Sequence, residues 1–235
     1  MVPQSVQLLA IESNMNIVAI DFSLNSPGIV VRTHENELKF LSYMKAGGTK
    51  SEIRMQEELT LQNDIDFKIQ PGFETSKEFS ERELTKLNRY ITMAEDMIEM
   101  IISAGVATDS HTIFAFEGVS YGSGGGGTNN LIDLAAAAAI FKYSLLIRFQ
   151  HPDNNILTVA STSIKKHAGG GRLKKRELWD VFVQNTLEDD SLSGSGVWKF
   201  AVALEVGAKV PKPFDDLVDA YFLSLYIQSL ALSPS

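Results

Sequence analysis

The residues best suited to chemistry in this chain are acidic, and their positions form a pattern. Asp21 closes the apolar run NIVAI, and Glu117 closes a second apolar run, TIFAF. Asp215, Asp216 and Asp219 stand near the start of the last apolar segment. Oxygen-rich sets of this kind suit hard cations such as Mg²⁺ and Mn²⁺. Strand ends on one edge of a sheet lie close in space, and residues three apart share a helix face. The chemistry that needs such a set is phosphodiester hydrolysis, in which two metals about 4 Å apart activate a water and stabilise the leaving oxygen. Each acidic residue also has a plainer reading. Asp21 could be a turn former. A carboxylate straight after TIFAF is costly unless solvated, paired or metal-bound, so Glu117 is the more telling of the two. Asp215 follows Pro213-Phe214 as a helix N-cap would, and spacing alone leaves Asp215 and Asp216 tied as partner to Asp219.

These carboxylates need elements to carry them. Asn16–Ile20 and Gly28–Arg32 read as a β-hairpin with its turn near Asn25-Ser26-Pro27, and Leu38–Tyr43 as a third strand. Ser80–Ser103 repeats apolar residues at helical spacing, and Ser80 with Glu83 has the form of a capping box. Thr112–Phe116 is a buried-type strand, Leu131–Arg148 a helix, Ile156–Ala160 a strand, and Lys174–Asn185 and Asp215–Ser229 helices. Residues 46–80 have mixed periodicity and receive no elements, and a further helix around Trp198–Val206 is only weakly marked. The order predicts an α/β fold: an antiparallel meander followed by parallel strands in one mixed sheet, flanked by helices. It forms a single domain over 1–235, with insertions near 46–80 and 186–212.

Composition bounds the possibilities. There are no cysteines among 235 residues, which excludes disulfides, thiolate metal sites and cysteine nucleophiles. With 44% hydrophobic and 21% charged residues the chain reads as globular. Met1–Asn14 lacks the pattern of a secretory signal, and Leu131–Ile147 is interrupted by Asp133 and Lys142, so no membrane span and a cytoplasmic location are expected. The net charge of −8 opposes general nucleic-acid affinity, so any such contact must be local. One dense basic cluster exists, comprising Lys165, Lys166, Arg172, Lys174, Lys175 and Arg176 around Gly169–Gly171. It suits phosphate contacts, though a solvated helix start has the same composition. The glycine run Gly122–Gly127 lacks the Gly-Lys-Ser/Thr ending of a P-loop, which excludes that reading. His34, His111, His151 and His167 read as surface or loop residues outside the metal set.

Four segments, in order, resemble the RuvC family of Holliday-junction resolvases, within the RNase H-like superfamily. IVAIDFSLNSPGIVV resembles its first hairpin and TIFAFEGVSYG the strand bearing its glutamate. STSIKKHAGGGRLKKRELWDVF resembles its lysine–glycine-turn–lysine segment, and KPFDDLVDAYFLSLY its closing helix. About half the chain is covered. The resemblance implies an RNase H-like fold and an endonuclease that resolves four-way junctions or other branched DNA. It implies two Mg²⁺ ions per site, with Mn²⁺ as substitute, held by Asp21, Glu117, Asp216 and Asp219, and so leaves Asp215 as a neighbour or cap. It places Lys175 as the catalytic lysine with Lys165 or Lys166 as its partner, Tyr121 near a base-stacking position, and the Ala135–Ala139 helix in a homodimer interface. The lengths of 46–80 and 186–212 resemble viral or mobile-element relatives, for which the host cytoplasm would be the location. Cleavage of flaps, nicks or RNA–DNA hybrids is the alternative within the same fold. Outside nuclease chemistry, actin-like or sugar-kinase-like ATP-binding domains share a related hairpin, but the Asp-x-x-Asp helix does not fit them. A non-catalytic scaffold is disfavoured by the full carboxylate set.

Overall fold

A computed structural model describes residues 15–35, 37–46, 50–60, 65–73, 76–118, 128–188, 192, 197–199 and 210–232. The strands are β1 (Asn16–Asp21), β2 (Gly28–Arg32), β3 (Leu38–Lys45), β4 (Ile65–Gln70), β5 (Thr112–Glu117) and β6 (Asn155–Val159). The helices are α1 (Lys50–Thr60), α2 (Phe79–Ser103), α3 (Thr128–Arg148), α4 (Ser161–His167), α5 (Lys175–Glu188) and α6 (Phe214–Leu232). Six strands form one sheet in the order β4-β3-β2-β1-β5-β6. The meander β1-β2-β3 is antiparallel, while β1-β5, β5-β6 and β3-β4 are parallel.

β1 is central, and Ile17, Val18, Ala19 and Ile20 are all buried. A strand covered on both faces reads as a continuous apolar run, which is why NIVAI shows no alternation. Its side chains nonetheless divide by the two-residue period. Ile17 and Ala19 join Val30, Ile113 and Ala115 in a core against α5 and α6. Val18 and Ile20 join Ile29, Phe114 and Phe116 in a second core against α2 and α3. α6 is apolar nearly all round and is buried accordingly, lying over β2, β1 and β5.

Residues 46–80 contain α1 and the edge strand β4, which extends the sheet beside β3. Their signals were weak because β4, IDFKIQ, is exposed at Asp66, Lys68 and Ile69 and buried only at Ile65 and Gln70. Ser80 does not cap α2. That helix begins one residue earlier, and its N-cap, Glu78, makes no side-chain cap bond. Ser76 instead accepts from the Glu78 N–H at 3.1 Å and donates to Glu81. The glycine turn after α4 is a helix stop: Gly169 has φ 125°, and Gly169 and Gly170 donate back to Lys166 and Lys165. Over Asn130–Arg148, α3 is long and apolar enough to cross a membrane by length and composition. Within this fold it docks on α2 and the sheet through Ala137, Phe141 and Leu145.

Candidate metal centre

The strand period aims both strand-end carboxylates the same way. Asp21 follows Ile17 and Ala19, and Glu117 follows Ile113 and Ala115, so both face α6. The parallel register pairs Ile20 with Phe116, which places Asp21 beside Glu117. α6 starts above this point and brings Asp216 and Asp219 down from its first two turns. Ligand oxygens of Asp21, Glu117 and Asp219 lie within 4.8 Å of one another. Asp216 adjoins them closely enough that, after burial, its charge is the strongest influence on the Asp21 carboxyl.

α6 reaches this position because of Gly28, which pairs with Asp21 at the turn end of the hairpin. A Cβ on Gly28 would stand 2.4 Å from the Asp216 carbonyl and 2.6 Å from the Leu217 nitrogen. Only glycine admits the helix backbone this closely. The first turn of α6 also offers its positive dipole end to the carboxylates gathered there.

Crowded carboxylates repel, and their proton affinities register it. Burial, followed by the charges of Asp216, Glu117 and Asp219, raises the Asp21 carboxyl well above the usual range. Burial and then Glu117 push Asp219 up to about 7, against the opposing pull of Lys175. Two ammonium groups offset the charge. Lys175 Nζ donates to Asp215 at 2.8 Å and lies 3.6 Å from Asp216 and 3.5 Å from Asp219. Burial opposes the charge on Lys175, but Asp215, Asp219 and Asp216 outweigh it and raise the amine's proton affinity. Lys212 bonds Asp216 and lies 3.3 Å from Asp215. The donor set is therefore all oxygen, partly buried, and already drawing cations from its own chain. That chemistry fits hard divalent ions.

The remaining sequence candidates fall elsewhere. Asp215 does not cap α6. It lies in the first turn, accepts from the Asp216 N–H at 3.0 Å, and holds Lys175. The basic cluster divides: Lys175 turns into the carboxylates, whereas Arg176 pairs with Asp180 at 3.0 Å. Lys166, Arg172 and Lys174 are exposed and Lys165 is half-buried. Among the described residues none of these four makes an ion pair. Tyr121, the glycine run and most of 186–212 lie outside the described residues. No histidine reaches the carboxylates: His111 stacks on His151 at 5.4 Å, and His167 meets Tyr226 edge-on at 5.7 Å.

No protein-family model matches the chain, and no curated protein sequence matches it. Solved structures do. The yeast mitochondrial Holliday junction resolvase Ydc2 matches with a TM-score of 0.53 and 12% identity, over 93% of this chain and 80% of that one. Thermus thermophilus RuvC matches with a TM-score of 0.46 and 13% identity, over 92% of this chain and 94% of that one. The same protein in complex with a Holliday junction substrate matches at 0.45 and 10%, over 92% and 93%. The fold is RNase H-like.

On this RNase H-like sheet, three residues that sequence reading did not single out join the site. Gly28 admits α6, Lys212 neutralises Asp216, and Ser26 donates to Asp216 Oδ2 at 2.9 Å. Lys212 was detectable in principle, because it precedes Asp215 and Asp216 by only three and four residues, just ahead of the helix. Ser26 was not, since a serine before proline reads as ordinary turn chemistry.

Proposed function

We propose that this chain is a divalent-metal-dependent endonuclease acting on branched DNA, with the four-way junction as its substrate. The observation that carries this reading is the convergence of Asp21, Glu117 and Asp219 within 4.8 Å, with Asp216 alongside. The fold shared with the yeast mitochondrial Holliday junction resolvase Ydc2 supports the substrate class.

Asp21, Glu117, Asp216 and Asp219 would hold two Mg²⁺ or Mn²⁺ ions. Such ions supply an activated water at neutral pH and stabilise the leaving oxygen of the phosphodiester. The protein's own groups do the rest. Asp21 sits between the strand and helix carboxylates and is the group best placed to be shared. Asp215 holds Lys175 at the rim, where its ammonium faces both the site and solvent. There it stabilises negative charge accumulating on the phosphate in the transition state. Lys165, Lys166, Arg172 and Lys174 extend from this rim as contacts to the DNA backbone and position the strand without reading its sequence.

The reading includes a homodimer. α3 exposes Ile132, Tyr143, Leu146 and Ile147 to the extent of 55–66%, an apolar face that supports self-association. A two-fold pair would present two sites to a symmetric junction.

The test compares a labelled four-way junction, a flap and an RNA–DNA hybrid in Mg²⁺ or Mn²⁺. Preferential junction cleavage, with loss in Glu117→Gln but retained junction binding, is expected. Preferential cleavage of the flap or hybrid would reassign the substrate. ATP binding with no cleavage of any of the three would overturn the nuclease reading.

A further inference from the structure

The turn between β1 and β2 is held by residues far away in sequence. Asp21 ends β1, and the chain must reverse through residues 22–27 before Gly28 starts β2. A six-residue turn of this kind is ordinarily the soft part of a hairpin. In this chain its backbone is secured at successive points. The Leu24 carbonyl accepts from Arg89 Nη2 at 2.7 Å and from Gln70 Nε2 at 3.2 Å. Arg89 also donates to Gln70 Oε1 at 2.9 Å, so the two side chains brace each other. The Asn25 carbonyl accepts from the Lys45 N–H at 2.7 Å, and Ser23 Oγ accepts from the Ser26 N–H at 3.0 Å.

The turn carries a side chain into the carboxylate cluster. Ser26 is 4% exposed, and its hydroxyl donates to Asp216 Oδ2. Asp216 is itself 1% exposed. A hydroxyl cannot neutralise a carboxylate, but it can fix which way the carboxylate's oxygens point. Partners of this sort orient a metal ligand without touching the metal.

We propose that Ser26 is a positioning residue for Asp216, and that Gln70 and Arg89 act through it by clamping the turn at Leu24. This assigns a role to the segment whose sequence pattern was least legible. Gln70 is the last residue of the edge strand β4 and is 4% exposed, so β4 contributes the prop that an exposed edge would otherwise lack. α2 contributes the second prop through Arg89. The proposal rests on the metal-binding reading above and specifies how one of its ligands is oriented.

The test measures Mn²⁺ binding to the DNA-free protein by calorimetry and by the electron paramagnetic resonance signal of bound Mn²⁺. The proteins are the wild type, Ser26→Ala, Arg89→Met and the double variant. Loss of an orienting partner ordinarily weakens metal affinity by about 10–100-fold. Ser26→Ala is expected to fall in that range, with an altered Mn²⁺ signal. Arg89→Met is expected to weaken affinity less, and the double variant to match Ser26→Ala, because both changes act on one bond. Gln70→Leu provides a second way to release the clamp should Arg89→Met fold poorly. Wild-type Mn²⁺ affinity in folded Ser26→Ala would overturn the proposal while leaving the metal site intact. Strictly additive losses in the double variant would overturn the clamp. Failure of the wild type itself to bind Mn²⁺ would instead remove the metal reading on which the proposal stands.

Discussion

Helices α6 and α3 lie on opposite faces of the same sheet and depart from ordinary burial in opposite directions. α6 is 19 residues long and takes three aspartates inside, with Asp215 at 9%, Asp216 at 1% and Asp219 at 6% exposure. α3 is 21 residues long and turns Ile132, Tyr143, Leu146 and Ile147 outward. Neither arrangement favours the isolated monomer. Buried carboxylates are destabilising until paired, and exposed apolar side chains gain nothing until covered. α6 therefore asks for cations and α3 for a protein surface. On the proposed reading one sheet carries an ion-binding face and an associating face, and the two can be disturbed separately.

The largest effect is expected on α6. Asp216→Asn removes a carboxylate of the cluster beside Asp21, and junction cleavage in Mg²⁺ should fall on the order of a thousandfold, since a metal ion contributes several kcal/mol to the transition state. Oligomeric state by light scattering should not change. Were Asp216→Asn to dissociate the protein instead, the two faces would not be independent.

The converse change is on α3. Leu146→Glu combined with Ile147→Glu should weaken the proposed self-association about a hundredfold, measured by sedimentation equilibrium, while Mn²⁺ binding per chain stays at the wild-type level. An unaltered dimer would place the interface elsewhere. A third change probes how α6 is seated. Gly28→Ala forces a methyl into the Asp216 backbone and should cost about 1–3 kcal/mol, or several degrees in Tm. A Tm equal to wild type would mean that α6 can shift without penalty.

The last effect is a pH dependence confined to the carboxylate cluster. Asp219 titrates at about 7 in the folded protein against 3.8 ordinarily, and Asp21 is raised in the same sense. Between those values the folded state binds more protons than the unfolded one. The contribution to stability is thus full below about 3.8 and is lost as pH rises through about 7. In chelator, Tm should be lower at pH 8 than at pH 5, and Asp219→Asn should flatten the difference. A metal-free Tm that rises over this interval in wild type but not in the variant would contradict the repulsion described for the cluster.

The difference between the faces also explains what the sequence disclosed. The central strands were legible because NIVAI and TIFAF are continuous apolar runs, and burial on both faces demands that. The carboxylates at their ends stood out against such runs. α2 was legible from its inward stripe of Tyr90, Met93, Ala94, Met97 and Ile101. β4 was not, because an edge strand with Asp66 and Lys68 outward carries little pattern to read. α4 was missed because seven residues are too few to show a period. In the site, spacing brought Asp216 and Asp219 to one helix face but could not separate Asp215 from Asp216. The structure separates them by their reach toward Asp21: the charge of Asp216 acts foremost on the Asp21 carboxyl, whereas Asp215 bonds Lys175, and Lys212 approaches both. Ser26, Gln70 and Arg89 were beyond reach, since their partners are between 19 and 190 positions away. Such contacts depend on how the hairpin, β4, α2 and α6 meet, and no local pattern encodes that.

The most direct test is cleavage of a labelled four-way junction by wild type and Asp21→Asn, with and without Mg²⁺. Wild type should cut only with the metal, and Asp21→Asn should bind the junction but leave it whole. Asp21→Asn cutting at the wild-type rate, or wild type cutting equally well in chelator, would contradict the assignment of the carboxylate cluster as the catalytic metal site.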